Sequence, residues 1–294
     1  MKLLLLHHKM LWIFLPNKFL ISSPFVRTLV YANVFIAIAA FAQLMVTYTL
    51  FPIPINFKNN SYLLFILLST YLQYNMQRGY MINETNIRTE RSQWLIRNKK
   101  ILMYSVFLSL GIVLFLCNNL SYTSIGIMIG AEVVSTFYYL PPFNLRKHGY
   151  FKPFLIAAVW VISCSVVPLI EHDMISKASY GFFIAQFCFT SILCLMFDIK
   201  DVETDYMSGV NTYANKFGAG ITKLISVALL IMASISFYAY TKELTALLCE
   251  GIVLGITLLT ILFTNDKKHD FYYYLWVDGL LLLQALVFVA AYYK

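Results

Sequence analysis

Three aspartates stand close together between two long apolar runs of the sequence. Asp198, Asp201 and Asp205 lie at positions i, i+3 and i+7, and on a helix this spacing places them on one face. Three carboxylates on one face repel one another unless a positive charge lies against them. A divalent cation with oxygen ligands is the usual solution, and Mg²⁺ commonly brings a substrate phosphate with it. The spacing therefore predicts a Mg²⁺ site, with a solvated acidic helix end as the alternative.

The composition places these aspartates in a membrane protein. Of the 294 residues, 60% are hydrophobic and 12% are charged, and long apolar runs recur along the whole chain. The runs are too continuous for β-barrel strands, in which polar and apolar residues alternate. We therefore expect an all-α membrane protein in which residues 1–294 form one polytopic domain. Residues 1–26 are expected to be an interfacial segment on the cytoplasmic side.

The apolar runs predict about nine transmembrane helices, at residues 27–51, 61–77, 101–118, 121–140, 153–171, 179–197, 220–241, 243–264 and 271–292. The even-numbered connections between these spans hold most of the lysines and arginines. The positive-inside rule therefore places those connections and the N terminus in the cytoplasm, and we expect the bilayer to be a bacterial inner membrane. Because the basic residues follow the membrane topology, the net charge of +8 does not point to a nucleic acid partner.

Basic residues lie on the same predicted side as the aspartates. Arg78, Arg88 and Arg91 follow the second span, and the connection after the fourth span contains Tyr139 and Arg146. A guanidinium group binds phosphate oxygens through two parallel hydrogen bonds. Carboxylates that hold Mg²⁺, together with arginines that contact phosphate, would suit a lipid-linked diphosphate. Membrane topology and contact with anionic headgroups are the alternative explanation for these arginines.

Together these features resemble the UbiA-type intramembrane prenyltransferases. The second aspartate-rich motif of that family is matched at Asp198, Asp201, Asp205, Gly209, Thr212, Phe217 and Gly218. The segment after the fourth span is also similar, through Tyr139, Pro142, Leu145 and Arg146. The resemblance implies nine helices around a central cavity. It also implies Mg²⁺-dependent transfer of a prenyl group from a polyprenyl diphosphate to an aromatic or other lipophilic acceptor.

The resemblance also assigns roles to particular residues. It implies that Asp198, Asp201 and Asp205 are the catalytic and metal-binding residues. The residues expected to bind the diphosphate are Asn75, Arg78, Arg88, Arg91, Tyr139 and Arg146.

The first aspartate-rich motif of the family is incomplete in this sequence. Asn75 can fill its first position, but the two aspartate positions fall on Gly79 and Asn83. Arginines could neutralise the diphosphate in place of a second metal ion. The alternative function is a catalytically degenerate UbiA-like protein that binds an isoprenoid lipid or scaffolds partner enzymes. The sequence leaves open the acceptor, the prenyl chain length and the oligomeric state.

Several polar side chains lie inside the predicted spans. Glu132 is midway through the fourth span, and we expect it to pair with another helix or, alternatively, to act as a base toward an acceptor. The other polar side chains are expected to form hydrogen bonds between helices. They are Asn33, Gln73, Gln186, Asp278 and Gln284.

Overall fold

The computed structural model describes residues 23–55, 61–84 and 89–293, and these ranges contain helices and no strand. The helices are α1 Pro24–Tyr31, α2 Val34–Leu50, α3 Ser61–Glu84, α4 Glu90–Arg97, α5 Lys99–Cys117, α6 Tyr122–Tyr139, α7 Lys152–Glu171, α8 Ser179–Lys200, α9 Val202–Met207, α10 Tyr213–Tyr240, α11 Leu244–Phe263 and α12 Tyr272–Tyr292. α7 and α12 each contain a π-helical turn, at Ile162–Val166 and Tyr272–Val277. Most of the predicted N-terminal segment 1–26 lies outside the described residues.

The apolar helices support an integral membrane protein. Within the described ranges, six helices are long and apolar enough to cross a bilayer, namely α5, α7, α8, α10, α11 and α12. The pair formed by α1 and α2 is bent by 66° and would add a seventh span. α3 and α6 also coincide with predicted spans, but they carry polar side chains into a cavity wall. The count of nine spans, the cytoplasmic N terminus and the inner membrane therefore remain predictions.

α8 forms the centre of the helix bundle, whereas α5 lies at its edge. Of the apolar stretch of α8, 72% is buried inside the protein, against 17% for α5. The exposed side chains of α5 include Phe107, Leu108 and Phe115, and such a surface suits contact with lipid tails.

Two of the predicted hydrogen bonds between helices are present. The Gln43 side chain donates to Gln284 at 3.0 Å, and Gln284 donates to Glu250 at 3.0 Å, which joins α2, α12 and α11. Asn33 donates to Asn75 at 3.1 Å. The prediction for Gln186 is wrong, because its buried amide has no hydrogen-bond partner among the described residues.

The backbone around the second aspartate motif explains two of the motif's other residues. Gly209 has a φ of +69°, in the left-handed region that favours glycine, and it ends the turn after α9. Thr212 caps α10: its hydroxyl accepts from the Asn215 amide at 3.3 Å, while the Asn215 side chain accepts from the Thr212 amide at 2.9 Å. The motif therefore fixes the direction in which the chain returns to the membrane.

The connection between α6 and α7 lies against this motif at Gly149. A Cβ atom placed on Gly149 would lie 2.3 Å from the carbonyl oxygen of Asn211 and 2.6 Å from its carbonyl carbon. Both contacts are with backbone, which cannot move aside as a side chain can. Glycine at this position is what lets the two segments approach each other.

We expect Gly149→Ala to destabilise the protein by about 1–3 kcal/mol, because the added methyl forces the two segments apart. Thermal unfolding of the purified protein in detergent measures the effect. Gly126→Ala in α6 is the matched control, since a Cβ there meets no atom within 4 Å. Equal unfolding temperatures for the two variants would contradict the close approach.

Candidate active site

Two of the three motif aspartates are fully buried and share one lysine. The ammonium nitrogen of Lys152 lies 2.7 Å from Asp198 Oδ1 and 2.9 Å from Asp205 Oδ2. Arg146 adds a second cation at 3.3 Å from Asp205 Oδ1. Both aspartates have 0% exposure. The sequence therefore places the motif correctly beside basic residues, but the cation between these two carboxylates is a side chain of the protein itself.

The contact of Lys152 with Asp198 is an ion pair without hydrogen-bond geometry, whereas its contact with Asp205 is a hydrogen bond. Neither oxygen of Asp198 has a hydrogen-bond partner among the described residues. Among the described residues, Asp198 is therefore stabilised by the charge of Lys152 and not by hydrogen bonds.

The position of Lys152 in its helix is unfavourable by itself. It is the first residue of α7, where the helix dipole is positive and a cation costs about 0.3–1 kcal/mol. Pro153 follows and suits the first helical turn, because its missing N–H has no partner there in any case. Lys152 is also only 8% exposed. The two aspartates offset these costs, so the lysine and the carboxylates stabilise one another.

Asp201 differs from the other two motif aspartates because it faces a cavity. Its side chain is 31% exposed and lies 2.9 Å from Lys200, which is also 3.5 Å from Asp270. Burial would raise the pKa of Asp201, but the nearby ammonium groups of Lys200 and Lys152 outweigh burial and hold that pKa below its usual value. Asp201 is therefore an anion at neutral pH.

The cavity has a volume of about 300 Å³ and lies between α2, α3, α6, α7, α8 and α12. Much of its wall is apolar, with residues such as Ala40, Ile66 and Met128. At one end, here named the charged end, the lining residues are Arg78, Arg91, Arg146, Lys152 and Asp201. A pocket of this kind suits an amphiphile with a phosphorylated head and an apolar tail.

The predicted diphosphate-binding residues are only partly brought together. Arg78, Arg91 and Arg146 line the cavity. Asn75 lies behind the wall, where its side chain donates to the carbonyls of Ala32 and Tyr71 and accepts from Asn33. Tyr139 also lies outside the lining and packs on Tyr80, with ring centroids 5.6 Å apart, while Tyr138 takes the place in the cavity wall. Arg88 falls outside the described residues.

Arg91 is held by the bend between α1 and α2. One of its terminal nitrogens donates to Asn33, which has a left-handed φ of +61° at the bend, and to the Val30 carbonyl. The guanidinium carbon lies 4.9 Å from the ring centroid of Tyr274. Its buried Nε has no acceptor in the described part of the chain. Burial, and then the charge of Arg78, lower the pKa of Arg91, as expected for two cations facing one space.

Sequence reasoning missed part of the site. Lys152 counted only as one of the basic residues that set the topology, and Asp278 was expected to bond another helix. Asp278 instead lines the cavity just after the π-helical turn of α12. Glu132 also lines the cavity and is exposed, and its contact at 3.5 Å is with Thr136 of its own helix. The signal that pointed to Asp278 was a charge inside an apolar span.

As they stand, these side chains do not fit a magnesium ion. Mg²⁺ needs near-octahedral oxygen ligands and usually keeps several waters. Asp198 and Asp205 have no exposed surface and already share Lys152, so Asp201 alone faces the cavity. Within the described ranges, no group of three or more His, Cys, Asp or Glu side chains lies close enough to hold a metal ion. The assignment of Mg²⁺ to the three aspartates remains a prediction, and it requires Lys152 to move.

Several solved structures have a similar arrangement of helices. A UbiA homologue from Archaeoglobus fulgidus has a TM-score of 0.66 and 12% identity, and the match covers 91% of this chain and 100% of that one. A UbiA homologue from Archaeoglobus fulgidus bound to DMAPP and Mg²⁺ has a TM-score of 0.66 and 12% identity, and the match covers 91% of this chain and 99% of that one. An apo UbiA homologue from Aeropyrum pernix K1 has a TM-score of 0.62 and 12% identity, and the match covers 87% of this chain and 96% of that one.

This chain has the UbiA fold. No family model matches the sequence, and comparison with curated proteins gave no significant match. The resemblance inferred from the second aspartate motif is therefore confirmed at the level of the fold. In this UbiA fold the motif lies at the charged end of the cavity, together with Arg78 of α3, Arg91 of α4 and Arg146 of the connection after α6.

We expect Lys152→Met to lower the free energy of unfolding by about 3–5 kcal/mol, because it leaves two buried carboxylates without their shared cation. Thermal unfolding in detergent measures the loss, with exposed Lys216→Met as the control. Adding Asp205→Asn to Lys152→Met should cost less than the two single changes combined. Additive losses would contradict the ion pair.

Proposed function

We propose that this protein is a membrane-embedded prenyltransferase, which moves a prenyl group from a polyprenyl diphosphate to a lipophilic acceptor. The observation that carries the proposal is the cavity, which combines an apolar wall with three arginines, Lys152 and Asp201 at one end. The fold supports it further, since UbiA homologues with this fold have been solved bound to GPP or DMAPP with Mg²⁺.

The proposed reaction breaks the bond between the prenyl carbon and the diphosphate oxygen. The electron pair of that bond leaves with the diphosphate, while the acceptor donates the electron pair of the new bond and loses a proton. Negative charge develops on the departing oxygens, so cations fixed at the charged end stabilise the transition state. Arg78 and Arg91 are the guanidinium groups that line the cavity without an ion pair to the buried aspartates.

The rest of the cavity suits the prenyl chain. Apolar residues keep water away from the allylic cation that forms as the diphosphate leaves. Tyr74 and Trp160 both line the cavity, and the Trp160 indole nitrogen donates to the Tyr74 hydroxyl at 3.3 Å, which fixes the two rings. Aromatic faces stabilise a nearby cation.

Glu132 is the proposed acceptor of the proton that the second substrate loses. It lines the cavity, and its only described hydrogen bond is the 3.5 Å contact with Thr136. A carboxylate within a transmembrane helix is costly, and such residues commonly have a functional role. The proposed reaction requires an acceptor that is lipophilic and has a group that can lose a proton.

Magnesium is the cofactor that the sequence predicts, and the homologues bound to GPP and DMAPP contain it. The sequence assigns it to Asp198, Asp201 and Asp205, but Lys152 lies between two of these carboxylates and only Asp201 faces the cavity. We therefore assign the stabilisation of the leaving group to the chain's own cations, and assign no step of the reaction to the metal.

We expect the purified protein to release diphosphate from a polyprenyl diphosphate when a suitable acceptor is present. A panel of prenyl chain lengths and lipophilic acceptors, followed by phosphate detection after pyrophosphatase treatment, makes the measurement. Binding without release across the panel would favour the degenerate lipid-binding protein. Neither binding nor release would contradict the proposal.

We expect Arg78→Met to weaken binding of the diphosphate substrate about 10- to 100-fold, since hydrogen bonds to charged groups contribute about 1.5–3 kcal/mol. Titration of geranyl diphosphate into detergent-solubilised protein measures the affinity. Arg97→Met is the matched control, because Arg97 is an exposed arginine of α4 that does not line the cavity. Equal losses in both variants would show that the effect is not specific to the cavity.

A further inference from the structure

We propose that Lys152 takes the place of a metal ion in this site, so that the diphosphate binds at the charged end without Mg²⁺. The inference rests on the proposed function, because it concerns how the same cavity holds the same substrate class. It goes beyond that function by replacing the cofactor with a side chain of the protein.

The first argument is the position of the ammonium group. Lys152 contacts one oxygen of each buried aspartate, at 2.7 Å and 2.9 Å, and Arg146 contacts the second oxygen of Asp205 at 3.3 Å. Asp198 and Asp205 thus face two cations, and these four groups together carry no net negative charge that would attract a divalent ion. A magnesium ion placed between these carboxylates would lie against the ammonium group, and like charges at such distances repel strongly in a buried site.

The second argument is the supply of positive charge to the substrate. Arg78 and Arg91 both line the cavity, and Arg91 is only 9% exposed. Its Nε is a buried donor without an acceptor in the described part of the chain, which costs free energy until an acceptor arrives. A diphosphate oxygen is such an acceptor, and the resulting charge-assisted hydrogen bond needs no metal ion.

The third argument comes from the incomplete first motif. Gly79 and Asn83 stand where that motif would have aspartates, so α3 presents an arginine, Arg78, to the cavity instead of carboxylates. The absence of carboxylates at these two positions of α3 and the presence of Lys152 beside Asp198 and Asp205 both make the charged end more positive. Both reduce the need for metal ions at the charged end.

The experiment compares binding of one probe with and without metal. The probe is geranyl thiolodiphosphate, in which sulfur replaces the bridging oxygen so that the prenyl group leaves slowly. It is titrated by calorimetry into the full-length protein in detergent, with EDTA or with excess Mg²⁺. We expect the two dissociation constants to agree within about threefold.

Three outcomes separate this inference from the proposed function. Similar affinity in both conditions supports the inference. Binding seen only with Mg²⁺, or at least about tenfold tighter with it, overturns the inference and leaves the proposed function standing. Absence of binding in both conditions overturns the inference and the proposed function together.

Variants of Lys152 test the internal cation directly. Lys152→Gln removes the charge, so binding in EDTA should fall about tenfold or more, and Mg²⁺ should restore it by entering the vacated place. Lys152→Arg keeps the charge and should bind the probe in EDTA as the unchanged protein does. Lys216→Gln, at an exposed position, is the control.

Thermal unfolding gives a readout that does not depend on substrate. Mg²⁺ should raise the unfolding temperature of Lys152→Gln, whereas the unfolding temperature of the unchanged protein should not change. An equal rise in both would overturn the inference, because it would show that Mg²⁺ binds while Lys152 is present. If Lys152→Gln does not fold, the unchanged protein and Lys152→Arg still decide the question through this measurement and the titration.

Discussion

Two buried carboxylates and the ammonium group between them are the constraint on which the charged end depends. Asp198 lies in the last turn of α8, Asp205 lies on α9 and Lys152 begins α7, so one ammonium group joins three helices. None of these charges would be stable in this position alone, since an unpaired buried ion costs several kcal/mol. Because burial of an unpaired charge is so costly, the three helices are stable together only in the geometry that pairs Lys152 with both aspartates.

A second polar network holds Arg91 at the charged end. Asn33 holds the bend between α1 and α2, donates to Asn75 of α3 and accepts from Arg91 of α4. Its position explains why Asn75 does not reach the cavity: every polar atom of that side chain is already used by neighbouring groups. Arg91 is thereby held through one terminal nitrogen, while its Nε has no acceptor among the described residues. The two networks therefore fix cations from different helices, Lys152 of α7 and Arg91 of α4, at the charged end of the cavity.

The sequence predicted the helical membrane fold, the aspartate motif and three of the arginines in the cavity wall, because these depend on local spacing and on the pattern of apolar runs. It did not predict the role of Lys152, since a sequence shows a charge but not its partner. That partner is set by the close approach at Gly149, a contact between segments distant along the chain. Asp278 was expected to bond another helix, because a sequence does not show whether a polar group inside a span faces a neighbouring helix or a cavity; it lines the cavity just after the π-helical turn Tyr272–Val277.

The same reasoning explains how the fold is kept at 12% identity with its structural homologues. Lipid-facing and core positions of a membrane helix accept many apolar residues as long as volume and pattern are kept, so most of the chain carries little sequence signal. The exceptions are positions where backbone geometry or charge pairing leaves few choices, such as the left-handed Gly209, the helix cap Thr212 and the buried aspartates. α3 is constrained in another way, because its cavity face must carry polar groups through an apolar layer. The polar groups of the chain therefore determine where the cavity lies and what it binds, while the apolar residues determine only that a helical bundle forms around it.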